Sequence, residues 1–251
     1  MPIKILRIKG GVMKRAAVVI YLFFMASALF ASGNFEIWAG YSSHGLDGVN
    51  SRINSLCVDY GASSKNTVLG GITAGLDGAY WYYTWWGIGG RISHTRIFEG
   101  YAEGQEAGLD VKTVFSGSFC RVLAGVPLLF EFFDGKMSVG GGLYCGWGYA
   151  SIGETKTGGS GSGSYKAGAH CFVFEAPLRL SYHFSSSFLL DALLSYSYAD
   201  AGKLEVYDTA GAELSGMVKG SPTAYSADFS GITIGLGFNW RYSSAHWPWY
   251  N

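Results

Sequence analysis

The sequence predicts an all-β protein, namely an eight-stranded antiparallel up-and-down transmembrane β-barrel preceded by a signal peptide. Three observations lead to this prediction. The 251 residues include 38 Gly, 8 Trp, 17 Tyr and 16 Phe, but only 14% are charged, a composition unlike that of an ordinary soluble domain. Apolar and polar residues alternate along eight segments. The links between these segments are alternately short and long, which is typical of outer-membrane barrels.

Residues 1–31 have the layout of a secretory signal. Lys14 and Arg15 precede an apolar run that ends in small residues suited to cleavage,. A single membrane anchor is the alternative interpretation, but spanning a bilayer takes about 20 apolar residues. Met13 is a second candidate for the start of the chain, because the residues before it add nothing that a signal needs.

Eight strands are then predicted in order within a barrel domain over residues 32–242. They cover 34–43, 68–81, 86–98, 111–127, 136–150, 167–184, 187–199 and 228–242. The last segment is the clearest, because Ile232, Ile234 and Leu236 alternate with Gly and Thr. In the fourth segment, Phe115 and Phe119 are out of phase with the other apolar residues, which predicts a bulge in that strand.

The connections predict which end of the barrel faces outward. Short links are expected near 82–85, 128–135 and 185–186, and long surface loops at 44–67, 99–110, 151–166 and 200–227. Within the third loop, residues 158–164 are all Gly or Ser, which predicts a mobile tip,. Aromatic residues collect at both ends of the strands, as two interfacial girdles require.

A soluble sandwich or a lipocalin-type barrel is the alternative fold, with the apolar face turned inward. The opposite face, however, carries mainly Gly, Ser, Thr and charged residues. A small soluble core would hardly be filled with Gly and charged residues, which weighs against this alternative. Beyond residue 31 the chain has 13 Lys and Arg against 18 Asp and Glu. This acidic balance argues against nucleic acid as a partner.

Aligning the strand phases places eight charged residues on the inward face, where a lumen ion-pair network is expected. They are Glu36, Asp77, Arg91, Arg121, Glu175, Arg179, Asp191 and Arg241. Hairpin geometry predicts the pairs Asp77–Arg91 and Arg179–Asp191. Barrel closure predicts Glu36–Arg241, which leaves Glu175 and Arg121 to pair across the lumen. All four inward cations are Arg, whose planar guanidinium satisfies several carboxylate oxygens at once. We expect the network to be structural scaffolding.

The sequence contains no motif of catalytic, cofactor-binding or metal-binding residues, so we expect neither an enzyme nor a cofactor. Two features leave alternatives open. The acidic segment with Glu99, Glu103, Glu106 and Asp110 is either a solvated loop or a surface cation site.

The second open feature is a pair of cysteines. Cys120 and Cys145 lie at nearly equal distances from the second short link, and they form a disulfide or else serve as apolar residues on the outer face,. Near the upper rim, Arg96 is expected to point outward and reach lipid headgroups, unless a bulge reverses its phase.

Together, the signal, the eight strands, the girdles and the inward Arg and acidic residues resemble the small bacterial outer-membrane barrels of the OmpA-transmembrane, OmpX and OmpW type. The resemblance implies a monomer in the outer membrane, with outer-membrane lipids and the barrel assembly machinery as partners and a host or other extracellular ligand at the loops. It implies a non-catalytic scaffold or surface-binding role. The alternative is porin-like, OmpW-like passive transport of small hydrophobic molecules through a narrow lumen.

The chain departs from that family at its end, where an aromatic residue is usually last. Here the tail 243–251 follows Tyr242. Either the assembly signal is internal or the tail packs at the periplasmic rim.

Overall fold

The computed structural model describes residues 32–61, 64–83, 85–133, 135–159, 161–211 and 218–243. The predicted signal peptide and all but the first residue of the predicted tail lie outside these ranges. Within them, no helix combines the length and the hydrophobicity needed to cross a bilayer.

Eleven strands and one helix make up the described chain. In order, they are β1 (Ser32–Ser43), α1 (Asp47–Asp59), β2 (Ser64–Asn66), β3 (Gly70–Trp81), β4 (Gly87–Glu106), β5 (Leu109–Phe132), β6 (Met137–Gly158), β7 (Gly163–His183), β8 (Phe188–Tyr198), β9 (Asp200–Gly211), β10 (Pro222–Asp228) and β11 (Gly231–Ser243).

Eight of these strands form a closed antiparallel ring, as predicted. The order is β1, β3, β4, β5, β6, β7, β8 and β11, and β11 pairs back onto β1. A row of paired residues that leaves β7 at Leu178 and follows the ring returns to β7 at Gly168, ten residues away. This stagger means that the strands tilt strongly against the barrel axis, typically by about 35–45°.

The outer surface of the ring is apolar, in agreement with the predicted strand phases. Leu236 is 63% exposed and Phe238 is 72% exposed, whereas Thr233 and Asn239 on the same strand are buried. Large aliphatic and aromatic side chains point outward on all eight ring strands. Exposing such a continuous apolar surface is unfavourable for a monomer in water, whereas it is favourable in contact with lipid.

Aromatic side chains mark the two edges of this surface. At the short-link end, Tyr82, Trp85, Phe130, Phe184 and Trp240 are exposed. At the other end, exposed aromatics are Tyr41, Phe98, Trp147, Tyr149, Tyr196 and Tyr198. These are the two interfacial girdles that the sequence predicted.

The predicted long loops are in large part strands. β4 to β7 continue well past the outer girdle, and the segment predicted as loop 99–110 is a hairpin whose two turn residues, Ala107 and Gly108, both have positive φ. The predicted mobile tip 158–164 likewise includes the end of β6 and the start of β7. Most outward residues here are polar, so the chain continues out of the membrane as an ordered sheet.

The predicted bulge lies on the neighbouring strand. The register between β4 and β5 shifts between Ile97 and Gly100 of β4, while β5 itself keeps its phase. Phe115 and Phe119 point inward, because the interior at their level is apolar and not polar. The prediction failed because it assumed a polar lumen along the whole strand.

Helix α1, which the sequence analysis left within the loop 44–67, covers the open side of the risen sheet. Val49, Ile53 and Leu56 recur on one helical face and are buried, and the helix packs against β2, β4 and β10. Beneath it, the upper interior is filled by one apolar cluster that includes Phe115, Ile152, Leu204 and Phe229. We call α1 and the parts of the strands beyond the girdle at the long-link end the cap.

Candidate functional site

The interior of the barrel has two layers, an ionic one below and an apolar one above. Six of the eight predicted residues form a connected ion-pair network in the lower layer. They are Glu36, Asp77, Arg91, Arg121, Glu175 and Arg179. We call this set the ionic layer.

Arg91 is the centre of the ionic layer and is completely buried. Its Nε donates to both carboxylate oxygens of Asp77, at 2.9 and 3.0 Å. Its Nη1 donates across the lumen to Glu175. Register places Asp77 directly opposite Arg91, which is the predicted pair. Burial of these charges is tolerated because each has charged or hydrogen-bonding partners.

Glu175 links two arginines. Its Oε2 lies 3.2 Å from Nη1 of Arg121, the predicted cross-lumen pair. Its Oε1 also accepts a hydrogen bond from Ser195 Oγ at 2.7 Å. Arg121 Nε donates to Ser93 Oγ at 2.9 Å. The guanidinium of each arginine therefore contacts more than one group.

Two of the predicted pairs are wrong. Arg179 contacts Glu36, with 2.8 Å between Nε and Oε2, and also Asp77. It does not pair with Asp191, because register places Asp191 opposite Ser181 and Arg179 opposite Leu193. The pair Arg179–Asp191 requires a hairpin centred on residue 185, whereas the observed register is centred on residue 186. An error of one residue in the centre shifts the opposed position by two residues.

Asp191 and Arg241 lie outside the ionic layer. Asp191 accepts a hydrogen bond from Asn239 Nδ2 at 3.0 Å. Arg241 donates to Glu131 at 2.7 Å and not to Glu36, because register places Asn34 opposite Arg241 and Asn239 opposite Glu36. The rim pair Arg241–Glu131 was missed because Glu131 was assigned to a short link.

Aromatic and hydroxyl partners of the ionic layer were also missed. Trp38 Nε1 donates to Asp77 at 2.9 Å, and the rings of Trp38 and Tyr144 lie 5.1 and 5.5 Å from the Arg91 guanidinium carbon. Above it, Ser42, Thr73, Thr95 and Thr233 form a buried row of hydroxyls joined at 2.5 to 2.7 Å. The inward position of Trp38 could have been predicted, because Trp38 lies two residues from Glu36 and therefore on the same face of the strand.

The apolar layer above is tied to α1 by a few polar contacts. Arg52 of the helix lies 3.6 Å from the buried carboxylate of Glu154, which also accepts a hydrogen bond from Tyr165 at 2.6 Å. Burial is the largest influence on this carboxyl and raises the pKa of Glu154, although Tyr165 and Arg52 oppose it. Asn50 exchanges two hydrogen bonds with the backbone of Val68. Polar contacts of Arg52 and Asn50 therefore fix the helix to the sheet and to the segment before β3.

Two small cavities lie in the described interior. One of about 30 Å³ lies at the end with the short links, between Asp77, Trp81, Arg179 and Arg241. One of about 10 Å³ lies under the helix between Val49, Ile97 and Phe115. The smaller volume holds at most about one water molecule.

The strand register decides whether Cys120 and Cys145 form a disulfide. Cys120 pairs with Tyr149, and Cys145 with Ala124, so the two cysteines are four positions apart, about 13 Å along the strand, too far for a disulfide. Both are free and point outward. In the acidic hairpin, Glu103 lies 3.2 Å from Lys112 and Glu106 lies 2.8 Å from Lys156.

Among the described residues, no group of three or more His, Cys, Asp or Glu side chains is placed to hold a metal ion. In the acidic hairpin, Glu103 and Glu106 are each paired with a lysine.

A closed ring with an apolar outer belt, two aromatic girdles and short links at one end decides the type of protein. It is a transmembrane β-barrel of the outer-membrane type. Comparison with protein-family models gave no match, and comparison with curated proteins gave none either.

Solved structures of outer-membrane proteins do match. The chain is similar to Ail, the attachment invasion locus protein of Yersinia pestis, at 15% identity over 84% of this chain and 99% of that one, with a TM-score of 0.42. It is similar to Neisserial surface protein A at 12% identity, with the same coverages and a TM-score of 0.45. OprG of Pseudomonas aeruginosa matches at 14% identity over 85% and 97%, with a TM-score of 0.42. The barrel assignment rests on the pairing and surface of this chain itself.

Proposed function

We propose that this barrel is a non-catalytic membrane anchor for the cap, and that the cap is the extracellular binding surface. The observation that carries the proposal is the filled interior. Arg91, Arg121 and Glu175 close the lower lumen, and the apolar cluster closes the upper lumen beneath α1. An eight-stranded barrel is only wide enough to be filled by side chains in this way. The surface left for recognition is the part that stands outside the membrane.

The order of the cap supports a binding role. Its hairpins are hydrogen-bonded ladders, and Gln105 N donates to Tyr60 O at 2.9 Å, which joins the end of the helix to the sheet. A rigid surface pays a smaller entropic cost on binding than mobile loops would. We therefore assign host or other extracellular ligands to the cap.

The Ser–His contact of the described barrel does not suit a nucleophilic serine. At the end of the barrel with the short links, Ser138 Oγ lies 3.0 Å from His183 Nε2. Ser138 is fully buried, so its hydroxyl is out of reach of a substrate. A catalytic serine must be exposed to the bond that it attacks.

Passive transport of small hydrophobic molecules is the second candidate. The observation in its favour is the apolar cavity under α1, which lies beside the β4 bulge in the barrel wall. At about 10 Å³ it is far too small for a solute, so transport would require α1 to leave its place. Because displacing α1 would expose the apolar cluster, we favour the anchor role over transport.

Single-channel recording tests the first proposal against a conducting lumen. The mature protein is inserted into planar bilayers, and we expect no channel openings. A variant carrying Arg91→Ser and Arg121→Ser, which removes the two deepest guanidinium groups, is expected to stay silent because the apolar layer above remains. Openings in the native protein would overturn the proposal.

Entry of a fluorescent hydrophobic dye into vesicles tests the second candidate. We expect the same rate with and without the barrel. A rate that rises with the amount of barrel in the vesicles would favour transport over the anchor.

A further inference from the structure

Two buried carboxyl groups approach each other in the lower barrel. Glu36 of β1 and Asp191 of β8 are both completely buried. Between their strands lies β11, on which Gly237 is directly opposite Asp191. A Cβ atom at Gly237 would overlap Glu36 Oε1, so the Glu36 carboxyl group lies over this glycine. Because directly opposed residues are about 5 Å apart, the two carboxyl groups are within reach of each other, and their charges interact.

Each of the two carboxyl groups has one oxygen with a partner and one without. Glu36 Oε2 lies 2.8 Å from Arg179 Nε, and Asp191 Oδ2 accepts the hydrogen bond from Asn239 Nδ2. Among the described residues, no donor reaches Glu36 Oε1 or Asp191 Oδ1. A buried oxygen that has lost its water and gained no donor is unfavourable. The pair therefore needs a hydrogen that the described side chains do not supply.

The formal charges around the pair do not balance either. The ionic layer combines three arginines with three carboxylates, so it is neutral by itself. Arg241 and Glu131 form a second neutral set at the rim. Asp191 adds one negative charge to these sets, and an excess charge in a poorly solvated interior is highly unfavourable.

Other charged or titratable groups face the pair from the neighbouring strands, but their hydrogen bonds are made elsewhere. They are Asp77 of β3, Arg91 of β4, Tyr144 of β6, and Arg179 and His183 of β7. Arg91 donates to Asp77 and Glu175, and His183 Nε2 contacts Ser138 Oγ.

From the two unpartnered oxygens and the excess charge, we infer that Glu36 and Asp191 bind one proton between them. The proton lies between Glu36 Oε1 and Asp191 Oδ1, so that one group is a carboxylic acid that donates and the other is a carboxylate that accepts. One proton supplies the missing hydrogen bond and removes the excess charge, because two carboxyl groups this close do not both ionise. This site goes beyond the proposed function and does not depend on what the cap binds.

A polar path joins the pair to the solution at the end with the short links. The cavity of about 30 Å³ at that end is lined by Asn34, Asn239 and other residues. Trp81 Nε1 donates to Asn34, Asn34 Nδ2 donates to Asn239, and Asn239 donates to Asp191. Arg91 and the apolar cluster close the lumen on the other side. The bound proton therefore exchanges with the solution at the end with the short links.

The pH dependence of unfolding tests the shared proton. The full mature barrel in vesicles is unfolded by urea between about pH 6 and about pH 8, where carboxyl groups of an unfolded chain are ionised. A native state that binds one more proton than the unfolded state loses stability as the pH rises. Asp191→Asn donates to Glu36 through its amide without ionising, so this contribution disappears. We expect the unfolding constant of the native barrel, divided by that of Asp191→Asn, to rise about tenfold per pH unit.

Glu131→Gln is the matched control. It also removes one carboxylate near the end with the short links, but this carboxylate is paired with Arg241 and its side chain is 20% exposed. It is ionised in both the native and the unfolded state over this range of pH. The unfolding constant of the native barrel, divided by that of Glu131→Gln, is therefore expected to stay constant with pH.

Infrared spectroscopy reports the proton directly and does not require Asp191→Asn to fold. The sample is the barrel carrying Glu154→Gln, because burial also raises the pKa of Glu154 in the cap. We expect the carbonyl band of a protonated carboxyl group to persist at about pH 8, where ordinary carboxyl groups are ionised.

Three outcomes would overturn the inference. The first is a ratio of unfolding constants for the native barrel and Asp191→Asn that does not change with pH. The second is the absence of the carbonyl band from the folded barrel. The third is stabilisation by Na⁺ at constant ionic strength that is lost in Asp191→Asn, since a metal ion and not a proton would then neutralise the pair.

Discussion

Arg91 shows how a charge is kept inside a barrel that lies in lipid. Its guanidinium contacts Asp77 and Glu175 and lies beside the ring of Trp38. Removing the cation from such a place is costly, because the buried carboxylates lose a charged partner that water does not replace. Each arginine of the ionic layer therefore stabilises the carboxylates that it contacts, and each carboxylate stabilises the arginines.

Replacing Arg91 by Met is expected to destabilise the barrel by about 3–5 kcal/mol, because Asp77 and Glu175 both lose their main partner. Urea unfolding of the barrel in vesicles measures the change in free energy. Arg241→Met is the matched control. Its partner Glu131 lies at the rim with a side chain 20% exposed, so a loss of about 1 kcal/mol or less is expected. Equal losses in the two variants would mean that the ionic layer is solvated.

Glu154 makes the cap sensitive to pH. Burial raises its pKa above the ordinary value of 4.5, so the closed cap binds the proton more tightly than an open cap does. The stabilising contribution is complete at low pH and is lost as the pH rises from about 4.5 through the pKa of the closed state,. The charged or titratable groups that influence the carboxyl are Arg52, Lys156, Tyr165 and Tyr225.

Hydrogen exchange of the α1 amides, corrected for the intrinsic effect of pH, reports this contribution. In the native protein, protection is expected to decrease as the pH rises above 4.5. In Glu154→Gln, which keeps an acceptor for Tyr165 but cannot ionise, the decrease should disappear. The same slope in both proteins would assign the pH effect to another group.

Helix α1 depends on tertiary contacts for its place. One face buries Val49, Ile53 and Leu56 in the apolar cluster, while Val58 on the other side is 82% exposed. A 13-residue helix is marginal alone in water. Packing on the cluster is what fixes it over the mouth of the barrel.

Truncating Ile53 to Ala is expected to weaken the closed cap by about 2–5 kcal/mol, because it leaves a cavity in the cluster. Faster exchange of the α1 amides measures the loss, while the amides of β1 and β11 should keep their protection. Val58→Ala is the control for a similar change at an exposed site and should have little effect. Loss of protection throughout the ring would mean that cap and barrel open together.

We expect the barrel to lie in the membrane with the cap outside the cell and the short links in the periplasm. Lys65 and Lys112 lie on the exposed surface of the cap, whereas Lys136 lies in the link between β5 and β6 at the opposite end. A membrane-impermeant amine reagent therefore has access to the two ends separately.

Labelling of intact cells is expected to modify Lys65 and Lys112 and to spare Lys136. Opening the outer membrane should then expose Lys136 to the reagent, and peptide mass spectrometry identifies each site. Modification of Lys136 in intact cells, with Lys65 spared, would reverse the assigned orientation.

The sequence by itself determined the eight ring strands, their inward and outward faces and the Asp77–Arg91 pair. Period-two alternation depends only on neighbours along the chain, and a tight hairpin fixes which residues face each other. The same argument failed for Arg179 and Asp191 because an error of one residue in the centre of a hairpin changes every opposed pair of that hairpin.

Only the tertiary structure decided what closes the lumen. The upper half of β5 carries Phe115 and Phe119 on the same face as Arg121, and alternation alone does not tell an apolar interior from a lipid-facing surface. Helix α1 is placed there by an apolar cluster assembled from six strands far apart in the chain. Such long-range packing leaves no local periodicity in the sequence, and it is the reason why the predicted loops are an ordered cap.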